Sequence, residues 1–152
     1  MEKKLAFGFM RLPETEDEKI DLEATNKMVD RFIEEGFSYF DTAYGYHNQQ
    51  SETAIRECLV KRYKRKQFLL TDKLSSMYFE KEEDLPGFFA EQLERTGVKY
   101  FDTYLIHSLN RRNYKNFLEA NAFEFVKKLK AEGKVKRIGF SFHDTADFLD
   151  QV

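Results

Sequence analysis

The chain has 152 residues, 41% of them hydrophobic and 34% charged, which is enough for one globular core and too apolar for a disordered chain. Its 25 lysines and arginines nearly balance 27 aspartates and glutamates, so the formal net charge of −2 offers no bulk positive field for nucleic acid or an anionic lipid surface. The single cysteine, Cys58, excludes an internal disulfide and any metal site built only from cysteines.

The chain opens with a short basic start, and its first apolar run is broken by Arg11 and Pro13 ahead of acidic residues, unlike a cleaved leader. No stretch reaches the ~20 apolar residues of a membrane span, so a cytoplasmic protein is expected. Residues 5–9 read as a first strand. A helix follows over 21–35, with Asp21 as its cap, Gly36 after its end, and Met28, Val29, Phe32 and Ile33 on one apolar stripe. A second strand spans 37–42. The helix over 52–64 is opened by Ser51, carries Cys58 on the same apolar face as Ala54 and Ile55, and closes in the basic run 61–66, whose cations suit a helix C-terminus. A strand over 68–73 leads to a helix over 85–96, with Pro86 in its first turn and Gly97 after its last. A strand over 100–107 precedes a helix over 114–132, whose face is Phe123, Val126 and Leu129 with Lys130 at the margin, and which is stopped by Gly133. The fifth strand spans 137–142, and a last helix starts near Asp144.

Short apolar runs alternating with amphipathic ones predict an α/β protein with a parallel sheet. Gly8, Asp41, Lys73, His107 and Ser141 stand near the ends of the five strands, about 33 residues apart, a period of structure rather than of sequence. Eight such units need roughly 260 residues, close to a closed TIM (β/α)8 barrel. Residues 1–152 are therefore expected to form the N-terminal part of such a barrel, with about its first five strands and a break within the fifth helix.

Parallel β/α folds bind ligands at the carboxyl ends of their strands. Gathered there are Asp41, Tyr44, Tyr46 and His47 after strand two, Asp72 and Lys73 on strand three, His107 on strand four, and Ser141 and His143 on strand five. Singly, each has a structural explanation: Asp41 caps a turn, Lys73 reaches solvent, His107 is satisfied in a core. Together, Lys73 and His107 close the apolar runs Phe68-Leu69-Leu70 and Tyr104-Leu105-Ile106, where a polar group needs a partner.

Four segments resemble the aldo-keto reductases in order and spacing, over essentially the whole chain: FDTAYGYHNQQSE at 40–52, FLLTDK at 68–73, ERTGVKYFDTYLIH at 94–107 and KVKRIGFSFHD at 134–144. The runs LAFGFMRLP and GFSFHD are most similar to a bacterial branch whose members often carry an iron–sulfur segment near the C-terminus. With Cys58 alone, no iron–sulfur cluster is inferred from this chain. The resemblance implies an oxidoreductase that reduces aldehyde and ketone carbonyls by hydride transfer from NADPH, with NADH as the alternative. It implies a catalytic tetrad of Asp41, Tyr46, Lys73 and His107. Tyr46 is then the general acid, selected over Tyr44 by the family's five-residue step from the aspartate. A free phenol with a pKa near ~10 needs help at neutral pH, and in this scheme the Lys73 ammonium favours the phenolate, Asp41 pairs with Lys73, and His107 orients the carbonyl.

The resemblance also implies cofactor contacts from Gly8, Met10 and Arg11 in the first loop, from Asp41 near the nicotinamide ribose, and from Ser141 at the carboxamide. The family's usual asparagine after that serine is Phe142 here, with His143 as its substitute. Residues 48–50 and 75–79 are expected to line the mouth, Met77, Tyr78 and Phe79 forming an apolar wall for a small carbonyl compound. Two other readings stand beside this one: an inactive fragment or interaction module, and a metal-dependent barrel hydrolase using Asp41 and the rim histidines. The second lacks any His-x-His or His-Glu-x-x-His spacing, and no metal is expected. Neither nucleic acid nor membrane is an expected partner. An open five-stranded sheet exposes the edges of strands one and five, the latter with Ile138, Phe140 and Phe142, which invites pairing with a second copy or a complementing chain.

Overall fold

A computed structural model describes residues 4–152; the basic start read at residues 1–3 lies outside the described residues. Five parallel strands form one sheet in chain order: β1 (Ala6–Gly8), β2 (Tyr39–Asp41), β3 (Leu69–Leu74), β4 (Phe101–Leu109) and β5 (Val135–Phe142). Each strand lies beside its predecessor, the common placement of consecutive elements. The register sets Gly8 opposite Asp41, Asp41 opposite Thr71, and Lys73 opposite Leu105, so the carboxyl ends of the strands share one rim.

Helix α1 (Leu22–Glu34) begins where the Asp21 carboxylate accepts the Ala24 N–H at 2.9 Å. Val29 and Phe32 are buried against the sheet, whereas Met28, expected on the same stripe, is 40% exposed at its margin. Helix α2 (Ser51–Ile55) continues through a wider π turn at Arg56–Val60. Ser51 does not cap it: its hydroxyl donates to Phe9 O at 2.9 Å and pairs with Thr42 Oγ1 at 2.7 Å, tying the helix to the strand ends. Helix α3 (Leu85–Thr96) has Pro86 in its first turn and ends at Gly97, whose φ of 75° is left-handed. The single helix expected over 114–132 is two, α4 (Tyr114–Glu119) and α5 (Ala122–Ala131). Asn121 breaks it with a φ of 53°, a conformation asparagine tolerates, and the break lets Phe117, Ala120 and Ala122 all be fully buried. A short helix, α6 (Ala146–Leu149), follows β5.

The core is largely aromatic. Phe40 is fully buried, with ring centroids 5.2 Å from Phe32, 6.3 Å from Phe9 and 6.5 Å from Phe68. Further along the sheet, Phe101 stacks on Tyr104 at 5.8 Å and Phe89 meets Tyr104 edge-on at 5.1 Å. Cys58 lies in this core, its thiol pushed up to about 11 by burial, which suits a packing residue rather than a nucleophile. In the basic run, Lys61 pairs with Glu57, Arg62 with Asp30 and Arg65 with Asp102, so these cations serve the fold. Among the described residues, β1 pairs only with β2 and β5 only with β4, and Phe140 on β5 is 44% exposed. No helix of the described residues is long and apolar enough to cross a membrane.

Candidate active site

Thr42 continues the ladder one step past β2, its N–H donating to Thr71 O at 3.0 Å, before the chain turns through residues 43–46. His47, Asn48 and Gln49 then run left-handed, with φ of 50°, 50° and 68°, a costly conformation for side-chain-bearing residues unless the surroundings impose it. They do. Leu12 N–H donates to His47 Nε2 at 2.9 Å, so in the neutral ring Nδ1 carries the hydrogen and donates to Glu14 Oε1 at 2.6 Å. Arg95 donates to Gln49 O, and the Gln50 amide accepts from Ile20 N–H and donates to Glu18 O. These ties present Tyr46 at the rim and turn His47 away from it.

Lys73 is nearly buried on β3. Its Nζ donates to Asp41 Oδ1 at 2.6 Å and to Thr42 O at 2.7 Å, the pairing that a buried ammonium requires. The same Nζ stands 4.7 Å from the centre of the Tyr46 ring. Tyr46 meets the His107 ring edge-to-face, centroids 5.7 Å apart at 82°. Asp41, Tyr46, Lys73 and His107 thus form one cluster drawn from the ends of β2, β3 and β4. Burial, then the Lys73 charge, then His143, pull the His107 pKa down to about 4, so the ring is neutral at pH 7. Its Nδ1 lies 2.6 Å from Ser75 Oγ.

Tyr46 and His107 open onto a pocket of about 260 Å³, walled by Gly45, Ser75, Met77 and Tyr78. Tyr78 is stacked on Phe88 at 5.7 Å and lies 4.5 Å from Tyr44, and a Cβ on Gly45 would stand 2.7 Å from the Tyr78 hydroxyl, so a larger residue there would have to push Tyr78 aside. Tyr44, the other phenol of the loop, donates to Glu91 Oε1 at 2.8 Å; burial and then Glu91 push its pKa up. It belongs to the wall. Phe79, expected on that wall, is instead buried against Phe117 at 5.7 Å, because the turn at Ser76–Tyr78 swings it inward. Residues 48–50 do not line the pocket either; Gln49 and Gln50 are engaged by the loop anchors. A larger apolar pocket of about 500 Å³, beside Phe7 and Met28, holds none of the four clustered residues.

Behind Lys73 lies a buried polar cluster. Gln92 Nε2 shares its hydrogens among Glu52 Oε1 at 3.1 Å, Asp72 Oδ1 at 3.1 Å and Lys73 O at 3.0 Å, while Tyr104 donates to Gln92 Oε1 and Arg95 Nε lies 2.5 Å from Glu52 Oε2. Burial raises the pKa of Glu52 and Asp72, and the Glu52 charge raises that of Asp72 further. Asp72 Oδ2 is buried with no hydrogen-bond partner among the described residues.

The residues read as cofactor contacts lie elsewhere on the rim. Gly8 ends β1, Met10 and Arg11 are exposed in the loop after it, and Ser141 Oγ accepts the Ser108 N–H at 2.7 Å. None of them lines the pocket of Tyr46 and His107. His143 lines a separate depression with Arg111 and Asp144. Among the described residues no three His, Cys, Asp or Glu come together to hold a metal. Sequence reasoning missed the hold of Ser75 on His107, the Thr42 carbonyl and Gln92. Of these only Ser75 left a trace: Leu74 lies opposite Ile106, so the next residue of each strand falls side by side, at the repeat distance.

In comparisons with known proteins, residues 4–152 match the model of the aldo/keto reductase family. A 4-dihydromethyl-trisporate dehydrogenase of Mucor mucedo is 35% identical over 94 residues, 59% of this chain and 28% of its own. An aldo-keto reductase from Bacillus halodurans in its holo form superposes with a TM-score of 0.76 at 23% identity, over 97% of this chain and 48% of that one. An aldo-keto reductase from Klebsiella pneumoniae in complex with NADPH gives 0.71 at 23%, over 95% and 47%. The chain spans about half the length of the structures it matches, and its five-stranded sheet corresponds to an incomplete TIM barrel.

Proposed function

The chain belongs to the aldo/keto reductase family, and from that premise we propose that it carries the site of a cytoplasmic oxidoreductase that reduces small aldehydes and ketones with NADPH. The observation that supports this most is the cluster itself: a phenol and a neutral imidazole that line one pocket, with a carboxylate-bound ammonium over the phenol ring, Lys73 Nζ lying 2.6 Å from Asp41 and 4.7 Å from the Tyr46 ring centre. The Klebsiella relative holds NADPH, which favours that dinucleotide over NADH.

The residues present fit the nicotinamide end of such a cofactor. Ser141 accepts from Ser108 N–H and keeps its own hydroxyl hydrogen to give to an amide oxygen; Asp41, Gly8, Met10 and Arg11 would hold the neighbouring ribose and phosphate side. When bound, the cofactor supplies the hydride. His107, with its pKa near 4, holds no imidazolium proton at pH 7, so it orients the carbonyl oxygen by a hydrogen bond and leaves Tyr46 as the acid. The phenolate formed after proton transfer sits beside the Lys73 ammonium, whose opposite charge stabilises it. Asp41 and the Thr42 carbonyl hold that ammonium in place over the Tyr46 ring. The pocket volume of about 260 Å³ suits a small carbonyl compound against the apolar wall of Met77 and Tyr78. In an assay of NADPH oxidation with a small aldehyde, Tyr46→Phe is expected to be at least ~100-fold slower than wild type with its fold intact; equal rates would overturn the reading.

Pairing of the β1 and β5 edges with a second copy of the chain belongs to the same proposal, supported by the exposed Phe140 on a strand with one free side.

A further inference from the structure

We propose that Ser75 is a positioning residue that fixes the tautomer of His107, so that Nε2 carries the ring hydrogen and gives it to the ligand in the pocket. Only that last step rests on the reductase reading; the tautomer follows from geometry. Ser75 extends β3 by one residue, with φ −103° and ψ 127°, and so comes level with His107 on β4. Its side chain is buried, with 7% of the residue exposed, and its Oγ stands 2.6 Å from His107 Nδ1.

A hydrogen bond of that length runs in one of two directions. If Nδ1–H donated to Oγ, the serine hydroxyl hydrogen would have no acceptor within the protein among the described residues and could turn only toward the pocket that Ser75 also lines. Ser75 is buried whereas His107 is half-buried, so the hydrogen left facing the pocket belongs on the ring, and the hydroxyl donates while Nδ1 accepts. A neutral ring has one hydrogen, which must then be on Nε2. Lys73 reinforces the outcome, because its ammonium at the neighbouring strand end opposes the doubly protonated ring and leaves a choice between two neutral tautomers. His107 also lines the pocket with Tyr46, so an Nε2–H donor and a phenol O–H donor converge on the space where a carbonyl oxygen fits. Without Ser75, a share of the ring would present a bare, electron-rich nitrogen there and repel that oxygen.

The test is long-range 1H–15N correlation NMR at pH 7 on the whole chain with labelled histidine, His107 being assigned by its loss in His107→Gln. The expected wild-type spectrum shows Nε2 protonated and Nδ1 bare. Ser75→Ala is expected to shift the tautomer ratio about fivefold toward Nδ1–H, and Ser75→Thr to restore it. Protonated Nδ1 in wild type overturns the proposal without any variant, as does a ratio unmoved in Ser75→Ala, or a Ser75→Thr spectrum that matches Ser75→Ala. If the tautomer shifts as expected while wild type oxidises no NADPH, the reductase reading fails and the hold of Ser75 on His107 stands. If wild type oxidises NADPH and the tautomer does not move, the hold of Ser75 on His107 fails and the reductase reading stands.

Discussion

At His107, burial and the Lys73 ammonium act in the same direction, both disfavouring the imidazolium and taking the pKa down to about 4. In an unfolded chain the ring titrates near ~6.5. Between those values the unfolded state binds more protons, so the folded state loses stability as pH falls through that window and regains it as pH rises. At full weight the loss is on the order of 3 kcal/mol. In urea unfolding, His107→Gln is predicted to lose less stability than wild type on going from neutral pH to about pH 4; parallel curves would contradict it. The placement of Asp41, Lys73 and His107 near the carboxyl ends of β2, β3 and β4 could be read from spacing, one repeat apart, while their roles came only from the resemblance. Tyr46 was legible only through the resemblance: Tyr44 and Tyr46 are alike in sequence, and what separates them is that Tyr44 is held by Glu91, from a distant helix. The Thr42 carbonyl that completes the seat of Lys73 is backbone, which no residue type announces.

The strand–helix alternation and all five strands could be read from the sequence because each strand carries a short apolar run between longer amphipathic ones, and the helix stops at Gly36, Gly97 and Gly133 all have positive φ. The break between α4 and α5 could not, since apolar residues continue at helical spacing across it and the left-handed turn falls on Asn121 rather than glycine. Ser51 misled for a related reason: a serine before an amphipathic run is a cap unless tertiary partners claim its hydroxyl, as Phe9 O and Thr42 do. Packing of α2 and α3 against β3 creates the Glu52–Asp72 pair, whose members lie far apart in sequence. Burial and the Glu52 charge hold the Asp72 pKa well up, so the folded state binds more protons than the unfolded one above the ordinary carboxylate range, and stability falls as pH rises there. Asp72→Asn removes that penalty and leaves an amide able to donate to Glu52. It is predicted to be neutral or about 1 kcal/mol stabilising in urea melts above pH 7; a loss of several kcal/mol would contradict the raised Asp72 pKa.

For the whole molecule, β1 pairs only with β2 and β5 only with β4 among the described residues, so each leaves one strand side unpaired. The edge of β5 is the more exposed, with Phe140 at 44%. The chain is predicted to sediment as a dimer or larger at micromolar concentration, with Phe140→Lys shifted toward monomer; a stable wild-type monomer would contradict the pairing. All four clustered side chains come from β2, β3, β4 and the loop after β2. The central claim, that these four residues reduce a carbonyl, is tested most directly with NADPH deuterated at the transferable position of the nicotinamide ring and a small aldehyde. The predicted result is deuterium on the carbinol carbon of the alcohol with wild type, formed at least ~100-fold more slowly with Tyr46→Phe. Labelled alcohol formed equally fast by Tyr46→Phe, or alcohol formed without the label, would contradict it.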